Sequence, residues 1–493
     1  MEVTGGAIAQ DSRHTGAPPS EPRDYRELFV GLDTPVPLLD GRQHTYVNLD
    51  NAATTPPLQR VVKHVNDSLS WYSSVHRGTG YKSIYSTHCF NECRNTVLDF
   101  VGADPEYHTA IFCGNATDAI NRLCCRFPLA DDEVVLTSVM EHHSNLLPWR
   151  FHGHVDYVKA RFPCGMLDLE DLEKKLIQYD GKVRLVATTA ASNITGLIPP
   201  LRQIARLAHE HDAMFLVDAS QLIAHRPIQM GMADDPERFD FLAFSGHKMY
   251  APFGSGALIG PRDFFAQGKP GWVGGGTVEL VTLDEVEWAP APEKEEAGTP
   301  NLIGICAMAE AMRALRDLGM EKVAGHEHEL TAYTLKRLDE IDGIRIYGGC
   351  NLINRTERLG VVPIEADGYP HALLAAILGY EWGIGVRNGC FCAHPYVEHL
   401  LHIDSDEIRQ HFDRVRTGDH SALPGFVRIS LALYNTKEEI DYLIRALISI
   451  MTRGPRGTYR VDPHTGDYKP EGFNYSFETP SGTENTPTFL PAS

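Results

Sequence analysis

The chain has 493 residues with 43 Gly and 31 Pro, 43% hydrophobic and 22% charged, which excludes a collagen-like or wholly low-complexity protein. The 45 Lys and Arg against 65 Asp and Glu give a net charge of −20, unfavourable for a phosphate backbone or an anionic lipid surface, so neither nucleic acid nor membrane is an expected partner. No apolar run approaches the length of a membrane span.

In chain order, residues 1–43 lack apolar periodicity and read as a mostly irregular N-terminal extension. Its acidic residues Glu2, Asp11, Glu21 and Asp24 fit neither a secretory signal nor a transit peptide, so a reducing cytoplasm is the expected compartment. Residues 44–305 alternate short apolar runs with helical patterns. The runs are Thr109–Cys113, Val134–Thr137, Arg184–Thr188, Met214–Val217, Phe241–Phe244 and Gly256–Ile259. Helices are predicted over Asp118–Arg126, Asp168–Gln178 and Leu201–His211. Such alternation predicts an α/β large domain built on a mostly parallel sheet. Helical periodicity over Ile305–Leu318 and Val323–Ile341 then opens a smaller α/β domain, residues 306–452. Residues 453–493, with Pro at 455, 463, 470, 480, 487 and 491, read as a tail without a packed core. The ten Cys, at 89, 93, 113, 124, 125, 164, 306, 350, 390 and 392, form no disulfide scaffold, and no paired zinc-type spacing occurs, so no metal is expected.

In parallel sheets ligands gather at the carboxyl ends of strands, and the informative residues follow the apolar runs. Phe241–Phe244 leads into Ser245-Gly-His-Lys248. Taken alone, a lysine there is more often a surface residue, but a desolvated amine can bond covalently to an aldehyde. Met214–Val217 delivers Asp218, which reads either as a helix cap or as a carboxylate partner for a protonated ring nitrogen. Gly114-Asn-Ala-Thr117 lies between a strand and a helix, where backbone amides can cradle phosphate. Glu141-His142-His143 follows Val134–Thr137, and an imidazole there can stack on a planar ring or move protons.

Taken together, these segments resemble the class V aminotransferase family of fold-type I pyridoxal-phosphate enzymes. Within it the chain is most similar to the cysteine desulfurases and selenocysteine lyases that serve iron–sulfur assembly. The resemblance runs from about Tyr46 to Leu447. It rests on Leu49-Asp-Asn-Ala-Ala-Thr54, Val75-His-Arg-Gly78, Met140-Glu-His-His-Ser-Asn145, Val217-Asp-Ala-Ser-Gln221, Ser245–Lys248, Glu296-Ala-Gly-Thr-Pro-Asn301, Arg387-Asn-Gly-Cys-Phe-Cys-Ala393 and Arg428–Thr436.

The resemblance implies pyridoxal 5′-phosphate held covalently by Lys248, which also moves the substrate proton. It implies Asp218 on the ring nitrogen, Gln221 and Asn193 on the ring hydroxyl, and His142 stacked on the ring as a further catalytic residue. Ala116, Thr117, Ser245 and His247 would surround the phosphate, with Thr299 reaching in from a second subunit of a homodimer. Asn51, Ala53, His76, Arg387 and Arg428 would form the substrate site, Arg428 taking the carboxylate. Cys392 would be the nucleophile that receives sulfur from L-cysteine before a sulfur-acceptor protein takes it. Ala116 stands where family members often have Thr, and Cys390-Phe391 where they often have two polar aromatic residues. The implied alternatives are a selenocysteine lyase or another C–S lyase, then a kynureninase-like hydrolase or an epimerase. Cys390 reads as a packed thiol, or else as a relay for sulfur or a disulfide partner.

Overall fold

The computed structural model describes residues 25–76, 78–349, 358–473 and 475. Residues 1–24, Arg77 of the Val75–Gly78 motif, Cys350 and the Pro-containing tail beyond residue 475 lie outside them.

Seven strands form the central sheet: β1 (His108–Cys113), β2 (Val134–Ser138), β3 (His154–Val158), β4 (Val183–Thr189), β5 (Met214–Asp218), β6 (Phe241–Ser245) and β7 (Gly256–Pro261), in the order β1-β7-β6-β5-β4-β2-β3. The pairs from β6 through β5, β4 and β2 to β3 are parallel. β7 alone runs antiparallel to both its neighbours, β1 and β6.

The apolar runs are continuous because the sheet is covered on both faces. Successive residues point to opposite sides. Phe112, Phe215, Val217, Leu242 and Phe244 enter one cluster, and Ile111, Leu216, Phe241 and Ala243 the other. Helix α1 (Ala116–Arg126) covers the second face with Ala119, Ile120 and Leu123. It starts two residues before the expected Asp118, because the Asn115 side chain accepts the Asp118 N–H at 2.9 Å and caps it. Helix α2 (Leu201–Glu210) covers the first face with Ile204, Ala205 and Ala208.

Helix α3 (Leu302–Leu318) packs against the turn that follows β6 and joins α4 (Met320–Asp339). Beyond it an antiparallel sheet contains β8 (Ile344–Ile346), β9 (Val361–Ala366), β10 (Arg387–Gly389) and β11 (Phe426–Ser430), ordered β8-β9-β11-β10. A second core fills it, with Val47 and Leu49 joining Ile364, Ile377, Ile429 and Leu443. No helix among the described residues is long and apolar enough to cross a membrane.

The described parts of the N-terminal extension and of the C-terminal tail dock more firmly than their lack of periodicity suggested. Phe29 is buried, edge-on to Tyr250 and tilted against Tyr434, with centroids 5.0 Å away in each case. Arg26 pairs with Glu439 at 2.5 Å. At the other end, the buried Glu381 carboxylate accepts from the Arg456 and Gly457 amides and from the Tyr459 hydroxyl, at 2.8, 3.1 and 3.1 Å. Single anchors of this kind need no repeating apolar pattern, so composition does not betray them. Phe29→Ala should therefore destabilise the protein by about 3–5 kcal/mol, read as a shift in denaturation midpoint; a shift below about 1 kcal/mol would mean that the segment is only draped on the surface.

Candidate active site

The carboxyl ends of β4, β5 and β6 are level. Asp218, the last residue of β5, lies opposite Thr189 of β4 and Ala243 of β6, and Ser245 ends β6 two residues further on. A cleft of about 830 Å³ opens there. Lys248, Asp218, Gln221, Asn193, His142, Ala116, Thr117, Ser245, His247, Ala53, Arg387, Arg428 and Cys392 all line it.

The Lys248 turn is set by close packing. Gly246 donates its N–H to the Ser255 carbonyl at 2.7 Å, and a Cβ at Gly246 would come within 2.7 Å of the Ser255 hydroxyl and 3.3 Å of Met308 in α3. The His247 carbonyl accepts from the Thr55 amide and hydroxyl, both at 3.1 Å, and from Thr54 at 3.2 Å. The segment Leu49–Thr54 thus ties this turn to the second core. Burial lowers the Lys248 amine below the ordinary lysine range and Arg428 adds to that, while Asp218 and Cys392 oppose it. A partly deprotonated amine is what covalent capture of an aldehyde and proton transfer need.

Asp218 is 4% exposed and accepts from the Ser220 amide and hydroxyl at 3.0 and 2.6 Å. His142 is pushed down to about 4, chiefly by burial and next by Lys248, so its ring is neutral near pH 7 and suited to stacking. His247 is likewise pushed down to about 4 by burial, then by Lys248. At the start of α1, Ser245 Oγ accepts the Ala116 N–H at 2.7 Å, which leaves the hydroxyl proton for an anion. Thr117 and Ser144 share a hydroxyl bond at 2.7 Å. Gly114 N–H is taken by Asp118 at 2.8 Å, Ala116 N–H by Ser245, and the Asp118 and Ala119 amides by Asn115, so the anion donors left on this rim are side chains and the Thr117 amide.

The donor set fits pyridoxal phosphate: an amine held below its usual range, a buried carboxylate, a neutral imidazole and hydroxyls at a helix N-terminus. Lys248 would hold the aldehyde carbon, Asp218 the ring nitrogen, and Thr117, Ser245 and His247 the phosphate. When bound, that group supplies a sink for electrons released at the substrate carbon.

Arg428 is 3% exposed and donates to the Asn193 carbonyl and to Asp50 Oδ1, both at 2.9 Å. Its buried Nε has no hydrogen-bond partner, the kind of donor that a bound carboxylate would satisfy. Asp50, passed over in the sequence, also faces Arg387 at 3.5 Å and so stands between the two arginines.

Cys392 is exposed at the cleft mouth, on a turn between β10 and helix α5 (His394–Leu401). Phe391 and Cys392 are consecutive left-handed residues, with φ of 50° and 55°. Such a pair costs on the order of 1–3 kcal/mol per residue and persists only where neighbours fix it. Cys390 points elsewhere: it is buried and donates to the Pro424 carbonyl at 2.9 Å, and burial pushes its thiol up to about 12.

Three expected site residues stand apart from the cleft. Asn51 is buried and spends its side chain on the Ser430 carbonyl, Asn435 and Tyr434. His76 lies edge-on to Phe90. Thr299 lines a separate crevice with Phe112, Gly114 and Arg122. Residues that the sequence did not single out, Ser144, Thr189, Ser220, Asn388 and Phe391, do line the cleft.

Known proteins are similar to this chain in sequence and fold. The model of the family described as aminotransferase class-V matches residues 47–443. The chain is 33% identical over 434 residues to a probable cysteine desulfurase of Halalkalibacterium halodurans, covering 86% of this chain and 96% of the relative. It is 33% identical to the cysteine desulfurase of Haloferax volcanii, over 81% of this chain and 88% of the relative. Among solved structures, the apo cysteine desulfurase of Thermococcus onnurineus superimposes with a TM-score of 0.71 at 31% identity, covering 82% of this chain and 94% of that one. A cysteine desulfurase from Escherichia coli gives 0.67 at 27%, with the same two coverages. The level strand ends, the lysine turn and a match spanning both cores have one common explanation, that this chain belongs to the aminotransferase class-V family.

Proposed function

We propose that the protein is a pyridoxal-phosphate-dependent cysteine desulfurase. It converts L-cysteine to L-alanine and leaves the sulfur on Cys392 as a persulfide, for a sulfur-acceptor protein to take. The observation that carries this reading is an exposed thiol, Cys392, on the rim of the cleft that contains Lys248, Asp218 and Arg428. A thiol so placed can accept sulfur covalently, a role that hydrolysis and epimerisation do not require.

Arg428 holds the substrate carboxylate through its free Nε, and Lys248 Nζ takes the proton from the α-carbon. The Cys392 thiolate attacks the substrate sulfur. The carbon–sulfur bond breaks with its electron pair left on the β-carbon, and a sulfur–sulfur bond forms. The skeleton takes up two protons, one at the β-carbon and one back at the α-carbon, equal to the one Lys248 removed and the one the Cys392 thiol lost. L-cysteine and the thiol thereby become L-alanine and the persulfide, with no external oxidant or reductant.

The test gives the cofactor-loaded protein L-cysteine, L-selenocysteine or L-kynurenine in turn. Alanine with one added sulfur atom on the Cys392 peptide is the expected outcome with L-cysteine. Sulfide release without modification of that peptide would replace the desulfurase reading by a C–S lyase, and anthranilate from kynurenine would replace it by a hydrolase.

The active unit in this reading is a homodimer. Glu296, gripped by Arg94 through bonds of 2.9 and 3.0 Å, anchors the segment carrying Thr299 outside its own cleft. Beside it the hairpin of Val278–Val281 and Val286–Trp288, with the residues before it, exposes Trp272, Val273, Leu280 and Leu283. An apolar surface of this extent suits a partner subunit. Mixing inactive Thr299→Ala and Lys248→Ala subunits should therefore restore measurable activity, since some mixed sites carry neither defect. A fully active monomer by light scattering would refute the dimer.

A further inference from the structure

The turn that presents Cys392 is short, strained and lies at the cleft mouth, so what fixes it decides where the thiol points. Its two left-handed residues have their carbonyls captured one after the other. Asn193 Nδ2 donates to the Phe391 carbonyl at 2.8 Å, and the His143 amide donates to the Cys392 carbonyl at 2.7 Å. The Phe391 ring lies under the Arg428 guanidinium, 4.7 Å from its centroid.

The next contact comes from residues 251 positions apart in the chain. The His394 and His143 rings are stacked, with centroids 5.0 Å apart and planes 10° apart. His143 Nε2 lies 3.4 Å from the His394 amide and 3.2 Å from His394 Nδ1. An amide can only donate, so Nε2 of His143 is the unprotonated nitrogen, its proton sits on Nδ1, and His394 donates from Nδ1 as well. Burial lowers both imidazoles, which keeps this acceptor available near neutral pH.

We propose that His143 and His394 form a clasp that holds the Cys392 turn in its attacking position, which makes both of them positioning residues for sulfur transfer. This rests on the desulfurase reading. His143 directly follows His142, whose ring lines the cleft, so the clasp references the nucleophile to the turn that would also pack against the cofactor ring. His394 is the first residue of α5, so the clasp sets where that helix begins relative to the cleft. Neither ring touches the reacting atoms, and neither lines the cleft.

The experiment compares holoenzyme variants His394→Ala, His394→Asn and His394→Phe with wild type. In His394→Ala, the visible absorption of bound cofactor and the KM for L-cysteine should stay within about twofold. The rate of persulfide formation on Cys392 should fall between about tenfold and a hundredfold, the scale of a nucleophile displaced by an ångström or so. Amide hydrogen exchange of residues 390–394 should quicken. His394→Asn keeps a donor toward His143 and should recover part of the rate, whereas His394→Phe keeps only a flat ring and should recover less. A persulfide rate within twofold of wild type in His394→Ala overturns the clasp, as does a KM that rises in step with the fall in rate. If wild type itself forms no persulfide, the desulfurase reading fails, yet the exchange rates still report whether His394 fixes the turn.

Discussion

Lys248→Ala should lower turnover of L-cysteine by roughly four orders of magnitude, the upper end of what one positioned proton-transfer group contributes. Of the described residues lining the cleft, Lys248 alone carries an amine. Loss of activity would reflect chemistry and not unfolding. The turn is held by Gly246 to Ser255, by Met249 to Gly246 and by the His247 carbonyl to Thr54 and Thr55, none of which uses the lysine side chain. Lys248→Ala takes away an amine whose charge burial already disfavours, and the Asp218 carboxylate that faced it keeps its bonds from the Ser220 amide and hydroxyl. The melting temperature of the cofactor-free variant should thus match that of cofactor-free wild type. Borohydride should fix the cofactor to the Lys248 peptide in wild type and nowhere in the variant. More than a tenth of wild-type activity in Lys248→Ala would show that another group moves the proton.

Cys392→Ala should abolish the protein-bound persulfide and slow alanine formation at least about a hundredfold, because no nucleophile remains to accept sulfur. The absorbance of bound cofactor should be unchanged, since Asp218, Ser245 and Thr117 take their hydrogen bonds from residues other than Cys392. Cys390→Ala is the control. A thiol pushed up to about 12 is ionised in only about one molecule in 10⁵ at pH 7, and its proton is committed to Pro424. That variant should keep most activity, and a loss equal to that of Cys392→Ala would show that sulfur passes through both thiols. Alanine and sulfide released at the wild-type rate by Cys392→Ala would instead mean a lyase that needs no protein nucleophile.

Much of this architecture is legible in the sequence because burial on both sides of a sheet leaves a plain apolar run. Phe241–Phe244 falls one residue short of the observed Phe241–Ser245, and Met214–Val217 one short of Met214–Asp218; in both cases the residue left out is the polar one that serves the cleft. Strand β3 escaped because His154–Val158 is a half-exposed edge strand without such a run. The antiparallel course of β7 could not be read at all, since strand direction is fixed by pairing with β1 and β6 and leaves no mark on Gly256–Pro261 itself. Site residues that follow strands, such as Asp218 and Lys248, could be found by position. Asn51 sits in the same motif as Ala53, two residues on, yet it turns inward to Ser430 and Asn435 while Ala52 and Ala53 meet the cleft, a division that only the folded turn makes. The pairing of His143 with His394 exists only once the chain has folded, so no local pattern announces it.

The position of β7 also bears on when the cofactor site can come into being during synthesis. β1 is an edge strand whose one neighbour in the sheet is β7, so it joins the sheet only through residues 256–261. A Cβ on Gly256 would come within 2.8 Å of Asn115, so β7 is also pressed against the residue that starts α1. Until β7 has left the ribosome, α1 can rest only on β6 and on the segment after β2, while β1, the strand that leads into it, has no partner in the sheet, although Asp218 and Lys248 are already made. The bond from the Ala116 amide to Ser245 closes a loop of 129 residues, a long-range contact whose chain entropy is lost before it is rewarded. A nascent chain ending before residue 256 would therefore carry Lys248 and Asp218 while the strand leading into Thr117 was still unpaired, and that side of the cleft would be completed late, with the finished sheet.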